Sequence, residues 1–169
     1  MRLSVTALIF TALAGFSAGS AQSPPPVPDN LKPPAGERLA RQAQATGDQI
    51  YTCDGSIWVL TAPEAKLLDD TGRQIGSHFA GPTWKLTDGS QVVGEMIASR
   101  PSPDAGSVAW LLLRAKSGTP TGRLADVAFI RGTETHGGVA DPAGCLTTAD
   151  AGKTVQVPYS ATYSFYSEK

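Results

Sequence analysis

The clearest pattern in the chain lies near its end, where Val155, Val157, Tyr159, Ala161, Tyr163 and Phe165 alternate with Thr154, Gln156, Pro158, Ser160, Thr162 and Ser164. A period of two kept this long predicts a half-buried strand, and Pro158, which has no N–H to give a ladder, predicts an edge or a bend within it. Val108 to Lys116 reads differently. Trp110 and Leu112 fall on one face and Leu111 and Leu113 on the other, which predicts a central strand covered on both sides. Asp54-Gly55 separates Asp48–Cys53 from Ser56–Thr61, and Asp88-Gly89 separates Thr83–Thr87 from Ser90–Ala98. Each predicts a tight hairpin, because the mirror-image turns need positive φ. Thr71-Gly72 predicts a third between Leu67–Asp70 and Arg73–Phe79, and Leu124–Thr133 reads as a further strand. From Gly47 onward no window keeps helical period for three turns, and Ala62 to Ala65 predicts a single helical turn. Residues 37–46 have a composition that also suits a helix; their length and the Gly47 that follows favour a first strand. About seven or eight short strands joined by hairpins predict an all-β fold, an antiparallel sandwich or a small closed barrel.

The chain's start is of another kind. Arg2, an apolar run from Val5 to Phe16 and then Ser17-Ala18-Gly19-Ser20-Ala21 follow the order of a secretory signal peptide, with cleavage expected after Ala21. The run is too short for a permanent membrane span. Six of the 13 prolines fall between Pro24 and Pro34, a density that excludes regular helix or ladder. The remaining aromatic residues all lie between Tyr51 and Tyr166. The expected organisation is a signal peptide at 1–21, a proline-rich disordered spacer at 22–35 and one β-domain at 36–169.

Charge narrows the partners. The 169 residues carry 14 Lys+Arg against 15 Asp+Glu, and removing the signal takes away Arg2, leaving 13 against 15. The basic residues Lys85, Arg100, Arg114, Lys116, Arg123 and Arg131 are scattered singly, so no nucleic-acid partner is predicted. An integral membrane barrel is not expected either, since only the last strand shows the long alternation such barrels repeat. Cys53 and Cys145 are an even pair in a chain expected to be exported, which predicts one disulfide; two buried free thiols are the alternative.

Several runs resemble one family: Gln49–Cys53, Ala62–Ala65, His78–Trp84 with Asp88–Ser90, Trp110–Leu113, Thr135–Gly138 and Val157–Tyr166 are similar to the domain-of-unknown-function 3455 family. The resemblance covers Gly47 to Tyr166. It implies an exported bacterial or fungal protein and brings no established activity.

Candidate chemistry is sparse. There is no Gly-x-Ser-x-Gly elbow, no His-Glu-x-x-His, no Cys-x-x-Cys and no Gly-x-Gly-x-x-Gly after a strand, so neither a metal site nor a cofactor is predicted. His78 lies before Gly81-Pro82 and His136 before Gly137-Gly138, at loops or strand ends where functional groups concentrate, although either would serve equally as a turn residue. Asp88 and Asp54 form a possible carboxylate pair, but each precedes a turn glycine, where a short acceptor side chain has its own use. Trp58, Trp84 and Trp110 with Tyr51, Tyr159, Tyr163 and Tyr166 are read mostly as core, a stacking platform for a flat ligand being the alternative. The candidate binding residues are therefore His78, Trp84, Asp88 and His136, with no catalytic residue assigned. The expected function is a non-enzymatic binding or envelope-associated module, periplasmic or extracellular, with an unassigned ligand. The alternative is a small secreted hydrolase or metal-dependent enzyme using His78 and His136.

Overall fold

A computed structural model of the chain describes residues 26–168, so the expected signal peptide lies outside the described residues. Eight strands follow in order: β1 (Glu37–Cys53), β2 (Trp58–Leu68), β3 (Gln74–Phe79), β4 (Thr83–Leu86), β5 (Gln91–Arg100), β6 (Trp110–Gly118), β7 (Phe129–Gly137) and β8 (Thr154–Glu168). Each pairs antiparallel with the next, and β8 pairs with β1 from Glu37↔Glu168 to Thr52↔Thr154. That last pairing closes the sheet on itself and decides between sandwich and barrel. The connections β1–β2, β3–β4, β5–β6 and β7–β8 share one end of the ring, here the upper end.

Alternation sorts the side chains. Ala43 and Ala45 of β1, Leu67 of β2, Trp84 of β4, Leu113 of β6, Ile130 of β7 and Tyr163 and Phe165 of β8 form the buried interior. Gly132 lies opposite Tyr163, and a Cβ there would stand 3.0 Å from the phenol ring, so the glycine makes room for it. The predicted turns fall at the β1–β2, β2–β3 and β4–β5 connections, with Gly55, Gly72 and Gly89 all at positive φ.

Both faces of β6 are covered, as its pattern requires. Leu113 faces the interior, while Trp110 and Leu112 form a second cluster with Leu31. Leu31 closes a one-turn 3-10 helix, Asp29–Leu31, and is fully buried. Part of the proline-rich segment is therefore docked on the barrel's outer wall. Proline forbids a ladder there, but one apolar side chain needs no ladder to bury itself.

Two local expectations are corrected. Ala62–Ala65 is strand rather than a helical turn, because its ladder with β1 outweighs local propensity. Pro63 is tolerated there because β3 first meets β2 at Ala65, leaving Pro63 unpaired on that side. Leu124 and Val127 belong to the connection before β7, and their burial plugs the lower end of the ring. Pro158 follows the same logic as Pro63: the β7 ladder ends at Gly137↔Tyr159, so the missing N–H falls just past it. Cys53 and Cys145 form the disulfide, fastening the long β7–β8 connection to the end of β1. Trp58 Nε1 donates to the Asp141 carbonyl at 2.8 Å across the same junction.

Candidate functional site

The register pairs His78 on β3 with Trp84 on β4, and both rings point into the barrel. They stack with centroids 4.4 Å apart and planes 10° from parallel, and Tyr163 stands edge-on to both. His78 is 3% exposed, and its Nδ1 lies 2.8 Å from the Thr83 carbonyl. A carbonyl only accepts, so Nδ1 carries the proton in the neutral ring. Burial drives the imidazole down to about 4, with the Thr83 bond opposing it. Burial likewise pushes Tyr159 up to about 12 and Tyr163 well above the ordinary phenol range. The cluster is thus uncharged at neutral pH.

That burial has a consequence for acid stability. Between pH 6.5 and about 4 the unfolded chain takes up a proton that the native His78 refuses, so stability falls as pH falls through this window. The full loss is about 3 kcal/mol for a shift from 6.5 to about 4. Urea midpoints at pH 7 and pH 4.5 should separate accordingly, and His78→Phe should remove most of the separation; an unchanged separation in the variant would assign the acid sensitivity elsewhere. The carboxylates held down by turn hydrogen bonds, Asp88 and Asp150 among them, lose their contribution only below the ordinary carboxylate range, outside this window.

Asp88 stands at the other end of the barrel. Its Oδ1 accepts from Ser90 Oγ at 2.6 Å and from the Ser90 amide at 3.0 Å, and its Oδ2 accepts from the Arg123 amide at 2.8 Å. It therefore joins the β4–β5 turn to the connection before β7, and these bonds, led by the Ser90 hydroxyl, hold its carboxyl well below the usual range. Asp54 makes a similar turn, accepting from the amides of Ser56 and Ile57. His136 lies on β7, four strands from β3 in either direction round the ring. Its Nδ1 sits 2.8 Å from Asp104 Oδ2, which also accepts from Ser107 Oγ at 2.8 Å. Ser107 Oγ accepts in turn from the Gly137 amide, pinning the β5–β6 connection to the end of β7. Of the four candidates, the fold brings only His78 and Trp84 together.

The recess in the wall reaches one of them, His78, and none of Trp84, Asp88 or His136. A groove of about 670 Å³ crosses the outside of β1, β2 and β3, bordered by Asp48 and Ile50, by Ala62, Glu64 and Lys66, and by Ser77 and Phe79. The register sets Asp48 directly opposite Glu64, so two carboxylates face each other across one strand pair. Among the described residues neither is in an ion pair, nor is Lys66. Like charges so placed are mutually unfavourable and leave acceptors free for something outside the chain.

A family model described as "Protein of unknown function (DUF3455)" matches residues 34–167. The chain belongs to the DUF3455 family. The match runs across all eight strands of this DUF3455 domain, from just before β1 to the penultimate residue of β8. No curated protein and no solved structure matches the chain. No helix among the described residues of the DUF3455 domain is long and apolar enough to cross a membrane.

The groove was not legible in the sequence. Asp48 and Glu64 stand on consecutive strands whose register depends on the irregularity between Ile50 and Tyr51, and nothing in composition locates that. The alternation of Thr46, Asp48 and Ile50 opposite buried Ala45 is the one signal that these side chains share the outer face.

Proposed function

We propose that this DUF3455 domain is an exported, non-enzymatic binding module whose ligand occupies the groove across β1–β3. The observation that carries this reading is the contrast between a barrel interior filled by Trp84, Tyr163 and Phe165 and an outer wall recessed by about 670 Å³. That volume lies within the roughly 300–1,000 Å³ typical of small-ligand sites. The groove's border mixes apolar Ile50 and Phe79 with the free polar groups of Asp48, Glu64 and Lys66, the combination that fixes a ligand's orientation while burying part of it. A packed apolar interior and an outer face bearing Glu64, Lys66, Lys85 and Arg114 reverse the pattern of a lipid-embedded barrel, which supports an aqueous location. The Cys53–Cys145 bond is compatible with export to an oxidising compartment.

Amide chemical shifts of the labelled mature chain, recorded during a small-molecule screen, test the site. Ligands should shift residues 46–50, 62–66 and 77–80, and Ile50→Arg should abolish those shifts. Hits that bind the variant unchanged would remove the groove from the reading. The mass of the chain recovered outside the cytoplasm should begin at Gln22.

A further inference from the structure

We infer that the upper wall of the barrel between β2 and β5 takes an extended polypeptide segment, which adds as a strand to the free edge of β2. This rests on the groove as the ligand site and gives that ligand a class.

The wall is uneven. β3 and β4 have six and four residues, while their neighbours β2 and β5 have 11 and 10. β2 meets β3 only from Ala65 to Leu68, so among the described residues Trp58–Glu64 is paired on its β1 side alone. β5 meets β4 only from Gln91 to Val93, with one further bond from the Gly94 amide to the Pro82 carbonyl. Among the described residues Glu95–Arg100 is then strand-paired with β6 alone. Above the β3–β4 turn, two strand widths of about 4.8 Å each are missing from the ring.

Several apolar side chains are exposed around this gap. Val59 (46% exposed) and Leu60 (49%) stand on the free stretch of β2, Phe79 (38%) ends β3, and Met96 (59%) and Ile97 (43%) stand on the free stretch of β5. A free strand edge presents a row of unpaired N–H and C=O groups, and the chemical partner of that row is the backbone of another extended chain. Apolar side chains flanking it would bury against alternate residues of such a chain.

The groove selects β2 over β5. It runs beside Ala62, Pro63 and Glu64 and ends at Phe79 and Ala80, where β3 stops, so an added strand continuing the line of β3 would lay its outward side chains there. Asp48 and Glu64 favour a basic residue in the segment at that end. A second copy pairing by the same edge would bring Trp58–Glu64, which holds no basic residue to meet Asp48 and Glu64. The occupant is therefore an aliphatic, β-prone segment of another protein with a Lys or Arg near one end.

The test titrates the full mature chain with the peptide Lys-Val-Thr-Val-Thr-Val-Lys and with the same peptide N-methylated at every internal amide, following amide shifts and hydrogen exchange. The unmodified peptide should give saturable shifts at residues 58–64 and at Phe79, slow amide exchange in Val59–Leu60, and bind at least about tenfold more tightly than the methylated form. Val59→Lys, on an exposed position, should weaken it with the thermal midpoint kept. Equal binding of both peptides in the groove would overturn strand addition while leaving the groove as a ligand site, and so would peptide silence alongside small-molecule hits at residues 46–50. Peptide shifts confined to Glu95–Arg100 would overturn the assignment to β2. Silence of the groove toward peptides and small molecules alike would end both readings.

Discussion

Replacing Cys53 and Cys145 together with alanine should lower the stability of the oxidised domain by about 4 to 5 kcal/mol, the chain-entropy expectation for the 92-residue separation. The bond crosses most of the chain, so in the unfolded state it removes a large share of the conformations that would otherwise compete with folding. In the native state it joins two segments already held together: Trp58 donates to Asp141, and the Cys53 amide donates to the Lys153 carbonyl at 2.8 Å. The folded geometry should therefore survive the double substitution, with the loss read mainly as a lower urea midpoint. Both cysteines are buried, so alanine is the suitable replacement and a lone free thiol is avoided. The same shift should follow from adding reductant to the wild type. Coincident midpoints for oxidised and reduced protein would refute the assignment of this stabilisation.

Trp84→Ala should cost about 3 to 5 kcal/mol, the range for emptying a large buried aromatic site. Trp84 is 1% exposed and touches three rings: it stacks on His78 and stands edge-on to Tyr163 and Phe165. Gly94 on β5 is the reason it fits, since a Cβ there would come within 3.0 Å of the indole. No neighbour can collapse into the space, because the surrounding side chains belong to strands locked in a ring. Trp84→Phe keeps most of the apolar volume and should lose clearly less. The substitution should also let water approach His78, so its acid sensitivity between pH 6.5 and about 4 should shrink in the alanine variant. A loss below about 1 kcal/mol would show that the interior repacks freely and that the ring is not the rigid frame described.

The strands that carried strong local signals were legible. The alternation from Val155 to Phe165 lies in β8, and the two-faced apolar run around Trp110–Leu113 lies in β6 with cover on both sides. Asp54 and Asp88 each cap a hairpin turn, as their position before a glycine suggests, and Asp69 does the same without standing next to one. What stayed hidden depends on distant parts of the chain. β8 was expected to be half-buried, yet Thr162 and Ser164 on its outer face are buried too, under Gln42, Gln44 and Glu134 from the strands on either side. Ala62–Ala65 is strand although Pro63 resembles a helix start, because β1 pairs with it on one side while β3 does not reach Pro63 on the other. The cover over Trp110 comes from Leu31, within a segment whose composition speaks only of extension. Of the candidate residues, His78 and Trp84 meet because they flank one short turn, whereas the facing of Asp48 and Glu64 is set by a register that sequence does not write down.

The pairing of the first strand with the last sets the order in which this molecule can be made. β1 is present once Cys53 has been synthesised, but its longest partner, β8, begins only at Thr154. Until that final segment exists the ring cannot close and β1 has only β2 to hold. Contacts so far apart in sequence form slowly, since the loop between them must be closed before they contribute anything. A chain that lacks β8 therefore has an open ring, with one side of its longest strand left unpaired among the described residues.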